Sequence, residues 1–379
     1  MPTASFDAQR LFARMKQAGA EVLLASTRHN VRYLTGGYFY PLYAWDAHTR
    51  GTQYLPFLVI PADRLEEAFL IGRPGEGEAL REAVLWPGRC HEASAIGTRP
   101  AAAKTVELLG GLGLDRGRIA VELPSLPADA FRVLAEGLPR AELVDAVPIL
   151  DSLRAVKSSR ELQIIREATR RNLEAVAAVL ASGRDGETTA QVAERVAREF
   201  GRRELHFLYA LVCAGPSFFR IPSDRRHWRH DCLLHIDTGG MLDGYIAETC
   251  RMGCLGRPSA LAERLLRACR ELEEAVLQAL RPGVQAGEVQ RRGDEFLAAH
   301  PLGSQGKFIA HGIGLVHHED PVIGLSRTEP LQAGMVLSLE MEFLHPDAGH
   351  VKIEDMVAIT DTGSELLSPQ GRDWQLSSP

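Results

Sequence analysis

Two stretches of the chain have the pattern of β-hairpins whose buried face carries acidic residues. The first is CLLHIDTGGMLDGYIAETCRMGCL, residues 232–255, and the second is GMVLSLEMEFLHPDAGHVKIEDMVAIT, residues 334–360. Each contains two β-rich runs around a turn with Gly, Asp or Pro, which is typical of a hairpin. A fold that contains both hairpins must accommodate several carboxylates within a sheet that is otherwise apolar.

The acids of the first hairpin are spaced to lie on one face. Asp237 and Glu248 are eleven residues apart, and in a hairpin with an even-numbered loop an odd separation places both side chains on the same face. Glu340 and Glu354 offer a similar pair on the second hairpin. Any one of these carboxylates taken alone is more often solvent-exposed. Buried together they would repel each other unless they protonate or enclose a cation.

A histidine-rich segment can complete such a site. The stretch AHGIGLVHHEDP, residues 310–321, contains His311, His317 and His318. Four carboxylates and one imidazole suit two divalent metal ions bridged by carboxylates, which activate water and polarise a carbonyl group. The residue pattern alone leaves open which histidine is the ligand.

The rest of the chain predicts two domains. Its 379 residues exceed what one hydrophobic core usually organises. Residues 1–150 alternate helical and strand patterns, which favours an α/β domain. Ser158 and Glu161 then form a capping box that begins a long helix. We therefore expect an α+β chain, with an α/β domain over residues 1–150 and a domain with an antiparallel sheet over residues 151–379.

Composition argues against several classes of protein. The net charge of -6 and the lack of a basic run predict no nucleic-acid partner. No apolar stretch approaches the ~20 residues of a membrane span, and the first residues have no signal-peptide core, which predicts a cytoplasmic protein without a membrane partner. The six cysteines form no CxxC pair, so we expect reduced thiols.

Several of these segments resemble a known family. In chain order, DTGGMLDGYIAETCR, HGIGLVHHEDP, GMVLSLE and GHVKIED are similar to the metal-binding motifs of the M24 metallopeptidases. That family includes Xaa-Pro dipeptidases, aminopeptidases P, methionine aminopeptidases and creatinase relatives. RHNVRYLTG and LRAVKSSRELQIIREA are similar to its N-terminal domain and inter-domain junction. The resemblance implies a pita-bread fold behind a creatinase-type N-terminal domain, and a homodimer.

The resemblance also implies a role for each motif residue. Asp237 would be a bidentate ligand of one metal ion, His311 and Glu340 would bind the other, and Glu248 and Glu354 would bridge the two ions. His318 matches a second family histidine that holds the substrate or stabilises its tetrahedral intermediate, and Glu340 would transfer the proton. Glu319 matches an acid in a supporting role. His317 has no family role, and we expect it to lie at the surface or to be merely packed.

The sequence departs from the family pattern at two places. Glu248 stands where the family has aspartate, which makes the second metal ion less secure. The family also has a histidine shortly before a serine-aspartate pair, but none precedes Ser223 and Asp224 here. Phe219 and Arg220 occupy this region and could form a pocket wall and a carboxylate clamp, since arginine pairs with carboxylates in bidentate fashion.

These features predict a dinuclear metallohydrolase that cleaves the amide bond next to proline in a short peptide. Its cofactors would be two divalent ions, Mn, Co, Zn or Fe, because oxygen-rich sites with one imidazole suit all four. The missing pocket histidine favours an alternative, a creatinase-like or other hydrolase or lyase of the same superfamily that acts on a C–N bond of a small-molecule amide. A non-catalytic binding protein is a third hypothesis, to which the substitution at Glu248 lends some support.

Overall fold

The computed structural model describes residues 4–38, 40, 56–83 and 85–377. The chain divides into two compact units, Met1–Leu153 and Arg154–Pro379. In the first unit the strands are β1 Val22–Ala25, β2 Phe57–Pro61, β3 Phe69–Gly72, β4 Arg89–Glu92, β5 Arg116–Val121 and β6 Arg140–Asp145. Its helices are α1 Ala8–Ala18, α2 Arg28–Thr35, α3 Gly77–Glu82, α4 Thr98–Gly111, α5 Ala128–Gly137 and α6 Val147–Arg154, the last of which ends one residue beyond the unit.

The first unit is built on a mixed sheet with strand order β4-β3-β2-β1-β5-β6. Strand β1 runs parallel to β5 and antiparallel to β2. All residues of β1, β2 and β3 are buried. Continuous apolar runs are typical of strands that are covered on both faces, so the sequence pattern and the observed α/β arrangement agree.

The second unit contains the two predicted hairpins. Its strands are β7 His206–Ala214, β8 Leu233–Leu242, β9 Tyr245–Leu255, β10 Gly306–Gly312, β11 Glu319–Val322, β12 Val336–His345, β13 Gly349–Ile359, β14 Ser364–Leu366 and β15 Gln375–Ser377. Its helices after α6 are α7 Ser159–Ala181, α8 Thr189–Arg202, α9 Ala260–Leu277 and α10 Ala286–Ala299. The sheet order is β11-β10-β12-β13-β9-β8-β7, with β14 paired to β13 and β15 to β9.

Local sequence signals explain the main elements of this unit. Helix α7 begins at the capping box of Ser158 and Glu161, as predicted. Strands β8 and β9 are joined by Asp243 and Gly244, whose φ angles are 48° and 90°. Positive φ at both positions is what a tight two-residue hairpin turn requires. The pairing along this sheet is antiparallel except for β15, which runs parallel to β9.

Helices cover one face of the second sheet. Apolar residues of α9 and α10, such as Leu272 and Val289, share a core cluster with Leu339 of β12 and Ile353 of β13. Because side chains alternate between the faces of a strand, the even-numbered residues of β12 and β13 point to the other face. Strands β9 and β13 are nevertheless buried along their whole length, so polar residues on that other face are also removed from water.

Two further observations concern the whole described chain. All six cysteines are free thiols, as their spacing predicted. Among the described residues, no helix is both long enough and apolar enough to cross a membrane.

Candidate metal centre

The five predicted metal ligands lie on five neighbouring strands of the second sheet. They are Asp237 on β8, Glu248 on β9, His311 on β10, Glu340 on β12 and Glu354 on β13. Glu340 pairs directly with Glu354, Glu354 with Cys250, and Cys250 with Asp237. The chain therefore brings residues more than a hundred positions apart onto one patch of a single sheet face.

The side chains of these residues are close to one another and shielded from solvent. His311 Nε2 lies 3.3 Å from Glu248 Oε1 and 3.3 Å from Glu340 Oε1. Asp237, Glu248 and Glu354 are 3%, 0% and 2% exposed. Buried carboxylates at this density need a positive partner.

Lys352 supplies one positive charge from within the sheet. It lies two residues before Glu354 on β13, and its Nζ is 2.7 Å from Asp237 Oδ2, 2.6 Å from Glu340 Oε2 and 3.0 Å from Glu354 Oε2. Burial alone would lower the pKa of Lys352, but the carboxylates of Glu354, Asp237 and Glu340 raise that pKa well above its usual value. The ammonium group is therefore a fixed charge at the centre of three of the predicted ligands.

Glu340 and Glu354 differ in how far the neighbouring positive charges offset the effect of burial on their pKa. Burial opposes ionisation of Glu340, but His311 and Lys352 outweigh it and lower the pKa of Glu340 to about 2. For Glu354 burial is the largest effect and raises the pKa well above its usual value; Lys352 opposes this, and the carboxylate of Asp237 adds to it. Glu354 thus lies where further positive charge would be stabilising.

The residues fit a divalent cation on the His311 side of the cluster. Two buried atoms on this side, Glu248 Oε1 and His311 Nε2, have no hydrogen-bond partner within the part of the chain that the structure describes. The 3.3 Å between donor atoms is close to the ~3–3.5 Å expected for two ligands that bind one ion at about 2.0–2.2 Å. As the side chains stand, no group of three or more histidine, cysteine, aspartate or glutamate residues among those described is arranged to hold a metal ion, and Lys352 lies between three of the carboxylates.

His318 and His317 flank His311. The ring of His318 stacks on that of His311 at 3.9 Å. Burial lowers the pKa of His318, and the neighbouring His311 and His317 lower it further. His317 is 44% exposed, as expected for a histidine at the surface, and it also contacts Glu248 Oε2, which the sequence did not predict. Tyr209 donates to the same oxygen at 3.1 Å, which gives Glu248 two partners that the sequence did not indicate.

Arg220 lies at the Asp237 side of the cluster. Its guanidinium Nη1 is 3.3 Å from Asp237 Oδ2. Phe219 is exposed, with the guanidinium of Arg226 over its ring. His227 and His230, later in the same loop, are also exposed. The segment that lacks the family histidine thus places an arginine, and not a histidine, beside the carboxylates.

Glu319 anchors the segment that carries the histidines. Its carboxylate is 3.2 Å from Arg154 Nε and 2.9 Å from Lys157 Nζ, and all three side chains are buried. Burial opposes ionisation, but Lys157 and Arg154 lower the pKa of Glu319. A Cβ atom at Gly314 would lie 2.2 Å from Glu319 Oε1, so the chain packs closely over this ion cluster. Glu319 therefore supports the turn that ends at His318, in keeping with its predicted role.

Of the two residues near the cluster that the sequence did not predict, Lys352 and Tyr209, only Lys352 could have been identified from the strand pattern. Lys352 and Glu354 are two positions apart on a strand, and period-two alternation places them on the same face. Tyr209 carried no such signal, because its proximity to Glu248 depends on the pairing of β7 with β8.

Comparisons with known proteins match two domain families to this chain. The sequence model of metallopeptidase family M24 matches residues 163–361, and that of the creatinase/prolidase N-terminal domain matches residues 8–156. The chain is 25% identical to a putative dipeptidase, YkvY, of Bacillus subtilis over 96% of this chain and 98% of the relative. It is also 25% identical to an Xaa-Pro dipeptidase of Pyrococcus horikoshii over 71% of this chain and 76% of that protein.

Solved structures share the fold over nearly the whole chain. The dipeptidase PepE of Mycobacterium ulcerans superposes with a TM-score of 0.81 and 26% identity, covering 98% of this chain and 97% of that one. An Xaa-Pro dipeptidase of Bacillus anthracis gives a TM-score of 0.82 at 18% identity, covering 97% and 98% of the two chains. With the M24 model matching more than half of its length, and with a creatinase-type domain before it, the chain belongs to metallopeptidase family M24.

Proposed function

We propose that this M24 protein is a divalent-metal-dependent dipeptidase that cleaves the amide bond before proline in Xaa-Pro dipeptides. The observation that carries the proposal is the cluster of Asp237, Glu248, His311, Glu340 and Glu354 on one buried sheet face, with His318 stacked on His311. Relatives named as dipeptidases or Xaa-Pro dipeptidases support this substrate class.

The metal ligands in this proposal are the five clustered residues, with Glu248, His311, Glu340 and Glu354 holding the ion on the His311 side. When bound, a divalent ion would polarise the substrate carbonyl and lower the pKa of an attacking water. Mn, Co, Zn and Fe all suit such a donor set. The family resemblance predicts two ions.

Glu340 and His318 would perform the proton transfer and the charge stabilisation. A glutamate with a pKa of about 2 is ionised at neutral pH, so Glu340 can accept the proton of the attacking water and pass it to the leaving amine. His318, whose pKa is lowered, is neutral at the same pH. A neutral imidazole can donate its N–H to the oxygen that becomes negative in the tetrahedral intermediate.

Arg220 and Phe219 are the proposed substrate-binding residues beside this centre, together with His318. A dipeptide ends in a free carboxylate, and a guanidinium group pairs well with a carboxylate. Arg220 lies at the Asp237 edge of the cluster, where it can bind that group. The exposed ring of Phe219 offers an apolar wall against which a proline ring can pack.

The proposal is tested by hydrolysis assays on the metal-reconstituted protein. We expect release of free proline from Ala-Pro and Gly-Pro when Mn(II) or Co(II) is supplied, and slower cleavage of Ala-Ala. The matched control is Arg225→Ala, because Arg225 is exposed in the loop that carries Arg220. Arg220→Ala should raise KM for Ala-Pro about tenfold or more, in line with a lost charge-assisted hydrogen bond of ~1.5–3 kcal/mol, whereas the control variant should not.

A second function has one observation in its favour. Residues 207–222, just before Ser223 and Asp224, contain no histidine, and Arg220 lies beside the cluster instead. A metal-loaded protein that leaves all Xaa-Pro dipeptides intact would favour a creatinase-like hydrolase or lyase that acts on a small-molecule amide. Homodimer formation and a cytoplasmic location stay predictions from the sequence, and sedimentation of the purified protein tests the first.

A further inference from the structure

We propose that His317 is a positioning residue that holds the carboxylate of Glu248 in the orientation for binding a metal ion. This inference rests on the metal centre proposed above, and it gives a role to a histidine for which the family resemblance implied none. It is derived from the contacts of the two oxygens of Glu248, from the length of that side chain, and from the way the ring of His317 is held.

The two oxygens of Glu248 have different surroundings. Oε2 accepts the O–H of Tyr209 at 3.1 Å and contacts Nε2 of His317. Oε1 is buried without a hydrogen-bond partner among the described residues and lies 3.3 Å from His311 Nε2. Because a carboxylate oxygen has two lone pairs, Oε2 can accept from both donors at once. Oε1 is then the oxygen that remains for a metal ion on the His311 side.

Two partners are needed because the side chain at this position is a glutamate. Compared with the aspartate of the family, Glu248 has one more rotatable bond, and its carboxylate lies about 1.5 Å farther from the backbone. With Tyr209 as the only partner, the carboxylate could still pivot about that hydrogen bond. Ordering it would then cost conformational entropy when the metal ion binds, whereas a carboxylate that is already held avoids this cost. The contact with His317 supplies the second point of attachment.

The ring of His317 is itself held in place, although 44% of its side chain is exposed. Tyr209 lies edge-on to it, with 5.6 Å between the ring centroids and 84° between the ring planes. The ring centroids of His318 and His311 lie 4.7 Å and 5.5 Å from that of His317. Two positions further along the chain, Glu319 anchors the segment in its buried ion cluster. These contacts keep His317 beside Glu248 before any metal ion binds.

The contact also affects the charge of Glu248. Burial opposes its ionisation, and the hydrogen bond from His317 is the largest of the effects that offset burial and lower the pKa of Glu248. A divalent ion binds a carboxylate in its deprotonated form. Replacing a residue that orients a metal ligand in this way typically weakens metal binding by roughly 10–100-fold. We therefore expect a loss of this size when His317 is removed.

The experiment measures the affinity of the full-length protein for Mn(II). The protein is stripped with a chelator and titrated with Mn(II) in a calorimeter. His317→Ala removes the contact with Glu248 and should raise the Kd for Mn(II) by roughly 10–100-fold. His317→Gln retains an N–H donor that can reach Oε2 of Glu248, so this variant should bind Mn(II) more tightly than His317→Ala.

The matched control is His230→Ala. His230 is an exposed histidine whose Nδ1 lies 3.1 Å from Oδ2 of Asp231. This variant removes the same type of side chain and the same type of contact with a carboxylate, but that carboxylate is not one of the proposed ligands. The Kd for Mn(II) should therefore stay within about twofold of the wild-type value.

A second background separates the positioning of Glu248 from a general structural role of His317. In Glu248→Asp the carboxylate is withdrawn toward the backbone by about 1.5 Å, away from His317. If His317 acts through the longer side chain, adding His317→Ala to Glu248→Asp should change the Kd by no more than about twofold. A side chain that merely supports the loop would weaken Mn(II) binding by the same factor in both backgrounds.

The outcomes distinguish this inference from the proposed function. The role of His317 is overturned, and the dipeptidase proposal left standing, by an unchanged Kd in His317→Ala, by an equal loss in both backgrounds, or by a His317→Gln variant that binds no better than His317→Ala. A wild-type protein that binds no Mn(II), Co(II) or Zn(II) overturns both. Coupling between His317 and Glu248 in a metal-loaded protein that leaves Xaa-Pro dipeptides intact supports this inference and overturns the proposed function. If His317→Ala does not fold, His317→Leu removes the same N–H, keeps most of the volume and gives the same comparison.

Discussion

The ion cluster of Glu319, Arg154 and Lys157 predicts a large loss of stability in Glu319→Gln. The three side chains are only 1–2% exposed, so Glu319→Gln removes the buried negative charge that Arg154 Nε and Lys157 Nζ contact at 3.2 and 2.9 Å. Breaking a buried ion pair in this way costs about 3–5 kcal/mol in the free energy of unfolding. For a domain of this size, that change corresponds to a lower Tm by roughly 6–20 °C.

A matched surface substitution provides the control. Arg170 and Glu174 form an ion pair one turn apart on α7, with side chains 54% and 49% exposed. Glu174→Gln removes the same charge by the same chemical change, but exposed pairs of this kind contribute only about 0.3–0.5 kcal/mol. Urea unfolding of both variants, followed by circular dichroism, gives the two free energies. If the two variants lose equal stability to within about 1 kcal/mol, the reasoning about burial is refuted.

The pH dependence of this effect has a definite sign. The pKa of Glu319 is lowered in the folded chain from an ordinary value of 4.5, because Lys157 and Arg154 outweigh burial. A carboxyl group with a lowered folded pKa adds stability that is fully present above its unfolded pKa and is lost as the pH falls through the folded pKa. The difference in unfolding free energy between the wild type and Glu319→Gln should therefore be constant near neutral pH and shrink below about pH 4.5.

Three further predictions concern catalysis, metal removal and packing. His318→Ala should lower kcat for Ala-Pro by about 10²–10³-fold without a change in bound metal, and an unchanged kcat would exclude His318 from the reaction. A chelator should abolish hydrolysis and lower Tm in calorimetry, since a ligand present at about 100 times its Kd stabilises the folded state by ~2.7 kcal/mol. Asn172 of α7 is buried and donates to Thr238 O and Ala247 O, so Asn172→Ala should cost about 1–3 kcal/mol in urea unfolding, and a loss below ~0.5 kcal/mol would show that these carbonyl groups find other donors.

The sequence predicted the elements whose signals are local. The capping box of Ser158 and Glu161 marks the start of α7 because both hydrogen bonds join residues three positions apart. The turn of Asp243 and Gly244, which joins β8 to β9, is also a local signal. Positive φ at both residues is what a two-residue hairpin turn requires. With the turn fixed, alternation along the two strands places Asp237 and Glu248 on one face.

The sequence did not predict the surroundings of His317, for a reason visible in the backbone. Strand β10 pairs with β11 with a shift in register between His311 and Gly312. A bulge breaks the alternation of side chains, so counting from His311 does not give the direction of residues beyond it. The contact of His317 with Glu248 depends on this irregular turn.

For Lys352 the sequence predicts the face of the strand but not the partner of the side chain. Alternation on β13 correctly places it on the face of Glu354, but a flexible four-carbon side chain on that face can reach either the Asp237 side or Glu342. The choice depends on which carboxylates are already engaged, and His350 engages Glu342 at 2.8 Å. His350 lies on the same strand as Lys352 but contacts Glu342 of β12. Its effect on Lys352 therefore depends on the pairing of β12 with β13.

Glu248 and Lys352 act on the same cluster from its two ends. The longer side chain of Glu248 carries its carboxylate about 1.5 Å farther from the backbone than an aspartate would, and Oε1 there lies 3.3 Å from His311 Nε2. At the other end, Lys352 engages Asp237 at 2.7 Å. Glu248 therefore still reaches His311 with its longer side chain, so the substitution at this position does not remove the carboxylate from the cluster. Lys352 meanwhile balances part of the negative charge of Asp237, Glu340 and Glu354.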